Sequence, residues 1–527
     1  MVMQKGYFMQ KCFIGAFSTF FGAFGTFFIA ASVVVSLNSC GGKVSEQGDW
    51  RNKEINTSFR AKSIDGYRFD NAQAEEADFQ NATGVSPVFK KAELSRARFQ
   101  NAMLETPDFS GANLAGAIFS SADMRGANFS DANLEGANLY RTTLLNSETA
   151  LKSTNFSGAN LQNANMSAMK VSEGLSFKNT DLTNAKIMGV DLTDADFGGV
   201  VAQRTDFSNS ELSGSNFKGA QVTGANFTKC NLTNSNFANV DLNNSNFTEA
   251  GLQRVDFSGA VFGNANFTKA DFSLTSFSNA DLKRVKLQKA VFAQATVSDM
   301  DFNGMTITGV VFDKSNVSGS TFVKTKMAGA SFFDASVDKC DFVGTDLKSA
   351  VFDGTDMKRS QFPKADLTKA NFENSTLDRV LFPEASMVGA RFSGAKLIQV
   401  SFAGSDLQNA TFNADTKLEQ VDFSGANLSR SKGMETLRQV DRVAYDRQTN
   451  FPAGFDPAKH GFVSRDGSGA PPVKRKKSDD DADEDAPVVK KKSKSDDDDP
   501  PAVSRKKAQQ SEQPATKKRV KSAKKRN

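Results

Sequence analysis

The chain has 527 residues, with 65 Lys and Arg against 60 Asp and Glu, four Cys, one Trp, four Tyr and 47 Phe. The single histidine, His460, takes away the usual general base and the commonest zinc ligand, which all but excludes a hydrolytic triad or a His-ligated catalytic metal. Carboxylate chemistry is not excluded by counting, and a net charge of +5 is small enough that its distribution matters more than its sum.

Lys5 and Lys11 precede an uncharged run from Phe13 to Leu37. A basic start followed by an apolar stretch is the layout of an export signal. The run exceeds the roughly 7–15 residues of a secretory h-region and would also span a bilayer, which takes ~20. It ends in Leu37-Asn38-Ser39-Cys40-Gly41-Gly42, which resembles a bacterial lipobox, although Asn38 departs from the small or aliphatic residue usual there. The resemblance implies cleavage, with Cys40 as the lipidated first residue of a protein in the cell envelope, periplasmic or surface-exposed. An uncleaved anchor over 1–40 is one alternative, and a segment that is neither is the other.

From about residue 57 the chain repeats every five residues, and residues 112–139 read ANLAGAIFSSADMRGANFSDANLEGANL. The large apolar centres are Leu114, Phe119, Met124, Phe129, Leu134 and Leu139, and a small residue stands two places before each, from Ala112 to Ala137. The longest unbroken run, Phe207 to Phe412, contains 42 repeats. On a helix a step of five turns ~140° and scatters the centres, and on a continuous strand it alternates them between faces. A short extended piece followed by a corner resolves both difficulties. Gly111, Gly116, Gly126 and Gly136 stand two residues after a centre, where a type II turn needs φ > 0. Pro363 and Pro383 follow centres directly, where the turn needs φ near −65°. Four corners of ~90° close one coil, and coils stacked ~4.8 Å apart make the 42 repeats a rod about 50 Å long.

These residues resemble the pentapeptide-repeat family, whose A-[D/N]-[L/F]-x-x units form a right-handed quadrilateral β-helix. The resemblance covers roughly residues 57–430 and implies an all-β solenoid. Expected segments are the leader 1–40, coils over 57–144, an irregular insertion at 145–155, the main solenoid over 156–430, a cap over 431–464 and a charged tail over 465–527. From Phe292 to Phe412 the centres alternate between Phe and an aliphatic residue, which puts Phe on two opposite walls. Before Phe257 the Phe residues occupy the other two walls, and five consecutive Phe centres (257, 262, 267, 272, 277) join the two arrangements. Leu144 to Phe156 implies an excess of two residues near 146–152, and Val171–Phe177 and Phe412–Phe423 one residue each. An excursion near 145–152 is the expected place for a specific contact, with a neutral indel as the alternative. Cys230 and Cys340 take small inward positions on opposite walls, too far apart to form a disulfide.

Beyond Leu428, Met434, Leu437, Val440 and Tyr445 follow near-helical spacing, so a short capping helix is expected over the edge of the last coil. The stretch from Tyr445 to Pro457 resembles the terminal segment of many family members, and His460 is read as structural. Residues 465–527 carry 19 Lys and Arg against 12 Asp and Glu in blocks such as KRKK (474–477), DDDD (496–499) and KKRVKSAKKR (517–526), the mark of a disordered tail.

No catalytic residue, cofactor or metal site is expected, and the carboxylate ladders that include Asp341 and Asp346 read as solvated side chains. The favoured function is a non-catalytic, lipid-anchored scaffold that binds an unidentified protein. The tail would contact anionic surfaces, and an uncovered end would permit a homodimer. Two alternatives remain at this stage: a nucleic-acid mimic like the pentapeptide-repeat proteins that bind DNA gyrase, and a secreted effector whose basic tail resembles nuclear-localisation stretches. The gyrase reading needs a strongly acidic surface, which residues 1–464, with 46 basic and 48 acidic side chains, do not supply.

Overall fold

A computed structural model describes residues 48–147, 153–278 and 281–466. The leader with Cys40, most of the 146–152 excess and the tail blocks lie outside these residues.

One quintet shows how the chain folds. Ala112 and Leu114 point inward and are buried, while Asn113 between them faces out. The Ala117 amide donates to the Leu114 carbonyl at 2.9 Å, and Gly116 between them has φ +65°, the type II arrangement. Leu114 N–H then reaches the Asn133 carbonyl at 2.6 Å, and Asn133 N–H returns to Ala112 at 2.9 Å. Asn113 therefore pairs in parallel with Asn133, twenty residues on. Four such steps make a coil, and about 19 coils stack into one parallel β-solenoid.

On most walls the strand is a single bridge. Longer strands are β1 (Thr83–Val85), β2 (Met103–Glu105), β3 (Thr143–Leu144) and β4 (Lys170–Val171) in the first half. The second half has β5 (Ser276–Ser278), β6 (Thr296–Ser298), β7 (Asn316–Ser318), β8 (Ser336–Asp338), β9 (Asp356–Lys358), β10 (Thr376–Asp378), β11 (Lys396–Ile398), β12 (Lys417–Glu419), β13 (Gln439–Asp441), β14 (Val443–Tyr445) and β15 (Phe462–Ser464). β5 to β13 form one nine-stranded parallel sheet along a single wall.

The core is a set of ring columns. Phe302 and Phe322 stack at 4.9 Å and 3°, on one wall as the alternation requires, and Phe342 stacks on Phe362 at 4.4 Å. Opposite columns meet edge to face, as Phe79 and Phe89 do at 5.4 Å and 89°. Identical positions recur one strand spacing apart, so parallel rings stack along a wall, while a ring arriving from the opposite wall offers its edge. Burying each ring contributes roughly 1.5–3 kcal/mol, and no single coil could secure that without neighbours above and below.

Between Ser63 and Leu418 the offset of twenty changes at three places. Asn128 pairs with Asn155, so the coil through Leu144 and Phe156 is one step carrying seven extra residues rather than two steps carrying two. Asn155 pairs with Ser176 and Leu397 with Leu418, one residue over in each case. The ladder also begins before residue 57, with Asp49 paired to Arg68.

The expected capping helix does not form. Met434–Thr436 is a single 3-10 turn, and the rest of that stretch becomes β13 and β14. Val440 sits on Leu418 at the end of the nine-stranded sheet, and Ala444 pairs with Asp422. The last coil offers unpaired backbone groups along its whole edge, and a strand satisfies them where a helix cannot. Beyond this, Phe462 stacks on Phe423 at 6.1 Å, and His460 lies against Phe455 at 4.7 Å.

Candidate functional site

Outward side chains come from the residue between the two inward ones and from the two corner residues. The first of these is commonly Asn or Asp, for a local reason. Asn128 Oδ1 accepts the Ser130 amide at 3.2 Å and so holds its own corner, while its Nδ2 donates to Asp108 Oδ1 one coil away at 3.1 Å. Asn155 repeats the contact on Asn128 at 3.3 Å. On the wall of Phe207 a Thr joins in. Thr228 Oγ1 donates to Asn226, and Asn246 Nδ2 donates to Thr228 Oγ1 at 2.9 Å. These rungs spend their polar groups on one another.

Charged side chains are interleaved in the same way. Arg359 donates twice to Asp338, at 2.8 and 2.6 Å, and Lys348 spans Asp346 at 3.2 Å and Asp366 at 2.8 Å. Asp341 accepts its own corner amide, Val343 N–H, at 3.1 Å. Burial pushes the Asp366 carboxyl up, but bonds from Lys348 and Thr368 outweigh it and hold the group below the ordinary value. Lys269 beside Glu249 lowers that carboxyl too. These groups are ionised at neutral pH and suit no general-acid role. Exposed pairs of this kind are worth about 0–1 kcal/mol each, so they organise the surface more than they stabilise it.

Nucleophiles are equally disarmed. Cys230 and Cys340 are free and buried, and burial pushes both thiols up to about 12. No cluster of His, Cys, Asp or Glu suited to a metal ion stands among the described residues.

Three features were not expected from the sequence. Thr and Ser replace Ala at many small inward positions; Thr hydroxyls commonly donate to a centre's carbonyl one coil away, as Thr345 does to Phe322 at 2.6 Å, while Ser315, Ser375 and Ser405 donate to the centre three residues before them. The signal was present, because a small residue in the core may carry a hydroxyl if a carbonyl faces it. Next, Gly84 stands where a centre belongs. A Cβ there would lie 3.1 Å from Ile64, so the wall sinks into a groove of about 440 Å³ with Val85 and Met103 exposed beside it. The third is a larger cleft, about 590 Å³, beside Phe257, Phe262 and Phe277.

Two family models match the chain. One, described as a pentapeptide repeat region, matches residues 170–247 and 210–289. The other, pentapeptide repeats in 8 copies, matches 108–144, 147–170, 325–363, 340–379 and 385–413, and the two together reach half of the chain. The chain belongs to the pentapeptide-repeat family. Its model matches indicate a repeat scaffold and no catalytic family. Among solved pentapeptide-repeat structures it is similar to HetL, involved in heterocyst differentiation regulation in the cyanobacterium Nostoc, at 24% identity over 42% of this chain and 92% of that one, with a TM-score of 0.21. It is similar to QnrB1, a plasmid-mediated fluoroquinolone resistance protein, at 21% identity over 46% and 89%, with a TM-score of 0.21. Rfr23 from the cyanobacterium Cyanothece aligns at 18% identity over 22% and 90%, also at 0.21. Among curated proteins none matches.

Proposed function

We propose that this pentapeptide-repeat protein is a non-catalytic binding scaffold of a bacterial cell envelope, exported by its N-terminal segment and held to a membrane through a lipid on Cys40. The observation that carries the scaffold reading is the nine-stranded wall from β5 to β13. Its outward residues include Asn316, Asp338, Lys358, Asp378 and Lys396, set on a grid at strand spacing. Such a surface offers many shallow, geometrically fixed contacts and suits a protein partner better than a small molecule, which needs a concave pocket. Export and anchoring rest on the charge and hydropathy pattern of residues 1–40 and on the lipobox-like sequence that ends at Cys40.

Mass spectrometry of the mature protein tests the anchor. A diacylglyceryl group on Cys40, lost together with membrane sedimentation in Cys40→Ser, supports it. A soluble cytoplasmic protein that retains residues 1–40 overturns it. For the scaffold, crosslinking from Bpa placed at Asn316 or Lys396 should trap one discrete partner, and an unselective smear would count against a dedicated wall.

A further inference from the structure

Most coils of the solenoid carry two Phe residues. The N-terminal half stacks them on the walls of Phe207 and Phe217, as in Phe207–Phe227 and Phe217–Phe237. The C-terminal half stacks them on the other two walls, as in Phe292–Phe312 and Phe302–Phe322. Exchanging walls leaves Phe262, Phe267, Phe272 and Phe277 filling all four sides of one coil.

The rings do not fit there as they do elsewhere. Phe237–Phe257 opens to 5.8 Å and 28°, and Phe257–Phe277 to 6.1 Å and 24°, against 4.6 Å for Phe217–Phe237 and 4.7 Å for Phe322–Phe342. Rings now also meet from adjacent walls, Phe257–Phe262 and Phe267–Phe272 tilted at 53° and 54° and Phe272–Phe277 crossing at 81°. The walls respond unequally. Gly251–Asp271–Val291–Val311 stays paired without a break, and Asn246–Asn266–Lys286 pairs across the crowded level but, among the described residues, is not joined to Thr306 at the next. On the other two walls, no pairing among the described residues joins Asp256 to Ser276 or Val261 to Asp281. The Phe257 amide, whose counterpart Phe237 donates to Asp256 at 2.8 Å, finds no such carbonyl among the described residues. The cleft of about 590 Å³ opens on this side, and Val261 (59% exposed) and Leu274 (40%) stand near it.

We propose that the overfilled coil is a built-in weak joint. The wall of Gly251, Asp271, Val291 and Val311 keeps the blocks together, and the two walls unpaired at the crowded level open first, so that residues 48–255 and 287–464 behave as separate cooperative units. Extra ring volume in a close-packed core is relieved by moving backbone, and backbone moves where ladder bonds are given up. Phenylalanine content that elsewhere stabilises the column here divides it.

Hydrogen exchange on the full-length protein tests this. Amides in 256–262 and 274–277 should exchange at least about tenfold faster than those in the coils of Phe217 and Phe342. The double variant Phe262→Leu/Phe277→Val restores two Phe to the crowded coil and should slow exchange there by a similar factor. Protection in the native chain equal to that of the flanking coils overturns the proposal. So does a folded double variant whose seam exchanges as fast as before. Limited trypsin digestion of the unaltered protein gives an independent reading. Cuts in 465–527 aside, the first cleavage should fall at Arg254, Lys283 or Arg284 and leave two resistant fragments, and a first cut inside 300–440 rejects the joint.

Discussion

At the small inward position a thiol and a hydroxyl do the same work. Cys230 Sγ donates to the Phe207 carbonyl at 3.0 Å, as Thr325 Oγ1 donates to Phe302 at 2.8 Å. Replacing Thr345 by Val keeps the shape but loses the bond to Phe322, and should lower stability by about 1 kcal/mol, measured by urea unfolding. The two thiols also make stability depend on pH. Their folded values stand near 12 against 9.0 for a free thiol, so the contribution is complete below about pH 9 and is lost as pH rises toward 12. Between those limits the unfolded chain holds fewer protons, and each thiol should take about 1.4 kcal/mol per pH unit from the folded state. A Cys230→Ala/Cys340→Ala variant should flatten that alkaline slope in urea midpoints. An unchanged slope would assign it to other groups. Backbone geometry sets a harsher limit at Gly433, where φ is +79° and a Cβ would meet the Phe412 carbonyl oxygen at 2.0 Å. Gly433→Ala should cost at least about 2 kcal/mol at the C-terminal end, visible as earlier exchange of β13 and β14.

At the scale of the element, a quintet is one wall and one corner, and twenty residues are one coil. Deleting 343–362 removes a whole coil and should leave the fold and the melting temperature nearly unchanged. Deleting 343–347 turns every later Phe by one wall, so that rings sit above aliphatic residues and outward ladders break register. That shorter deletion should lower the melting temperature by more than the fourfold longer one, the opposite of what loss of buried area alone predicts. The period, the corner glycines and the alternating centres were legible from Phe292 to Phe412 because each feature repeats. The end of the solenoid was not. Met434, Leu437, Val440 and Tyr445 carry a helical spacing, and what overrides it is the open edge of the coil before them, which lies in contacts distant along the chain. Positive φ was legible at Gly116, yet the same conformation occurs at Lys339, Arg359 and Gln399, where the corner imposes it against side-chain preference.

For the whole molecule, the walls interleave acid and base, as in Lys348 between Asp346 and Asp366, so attraction to a large anionic surface is expected from the tail. In a chain that starts at residue 41 and carries no lipid, removing 475–527, with its blocks KKKSK and KKRVKSAKKR, should abolish sedimentation with anionic vesicles at low salt. The same unlipidated chain with its tail intact should lose that binding between about 50 and 300 mM salt, because screening acts on exposed charge. Sedimentation of the truncated protein undiminished would move the attraction to the solenoid.

The order of residues by itself determined the repeat, the four-sided coil and the walls on which Phe residues lie, because a period of five allows one way of burying every small and large pair. The proposed roles of Cys40 and the tail rest on that order of residues alone, through chemistry that is local. Only the tertiary structure decided that the step from Leu144 to Phe156 is a single one with seven extra residues, that Gly84 lets a wall sink, and that the edge at Met434 is closed by strands. The loosening around Phe257 belongs with these. Five Phe centres in a row are plain in the sequence, but which walls give way depends on how four rings divide one fixed cross-section, a property of neighbours stacked twenty residues apart.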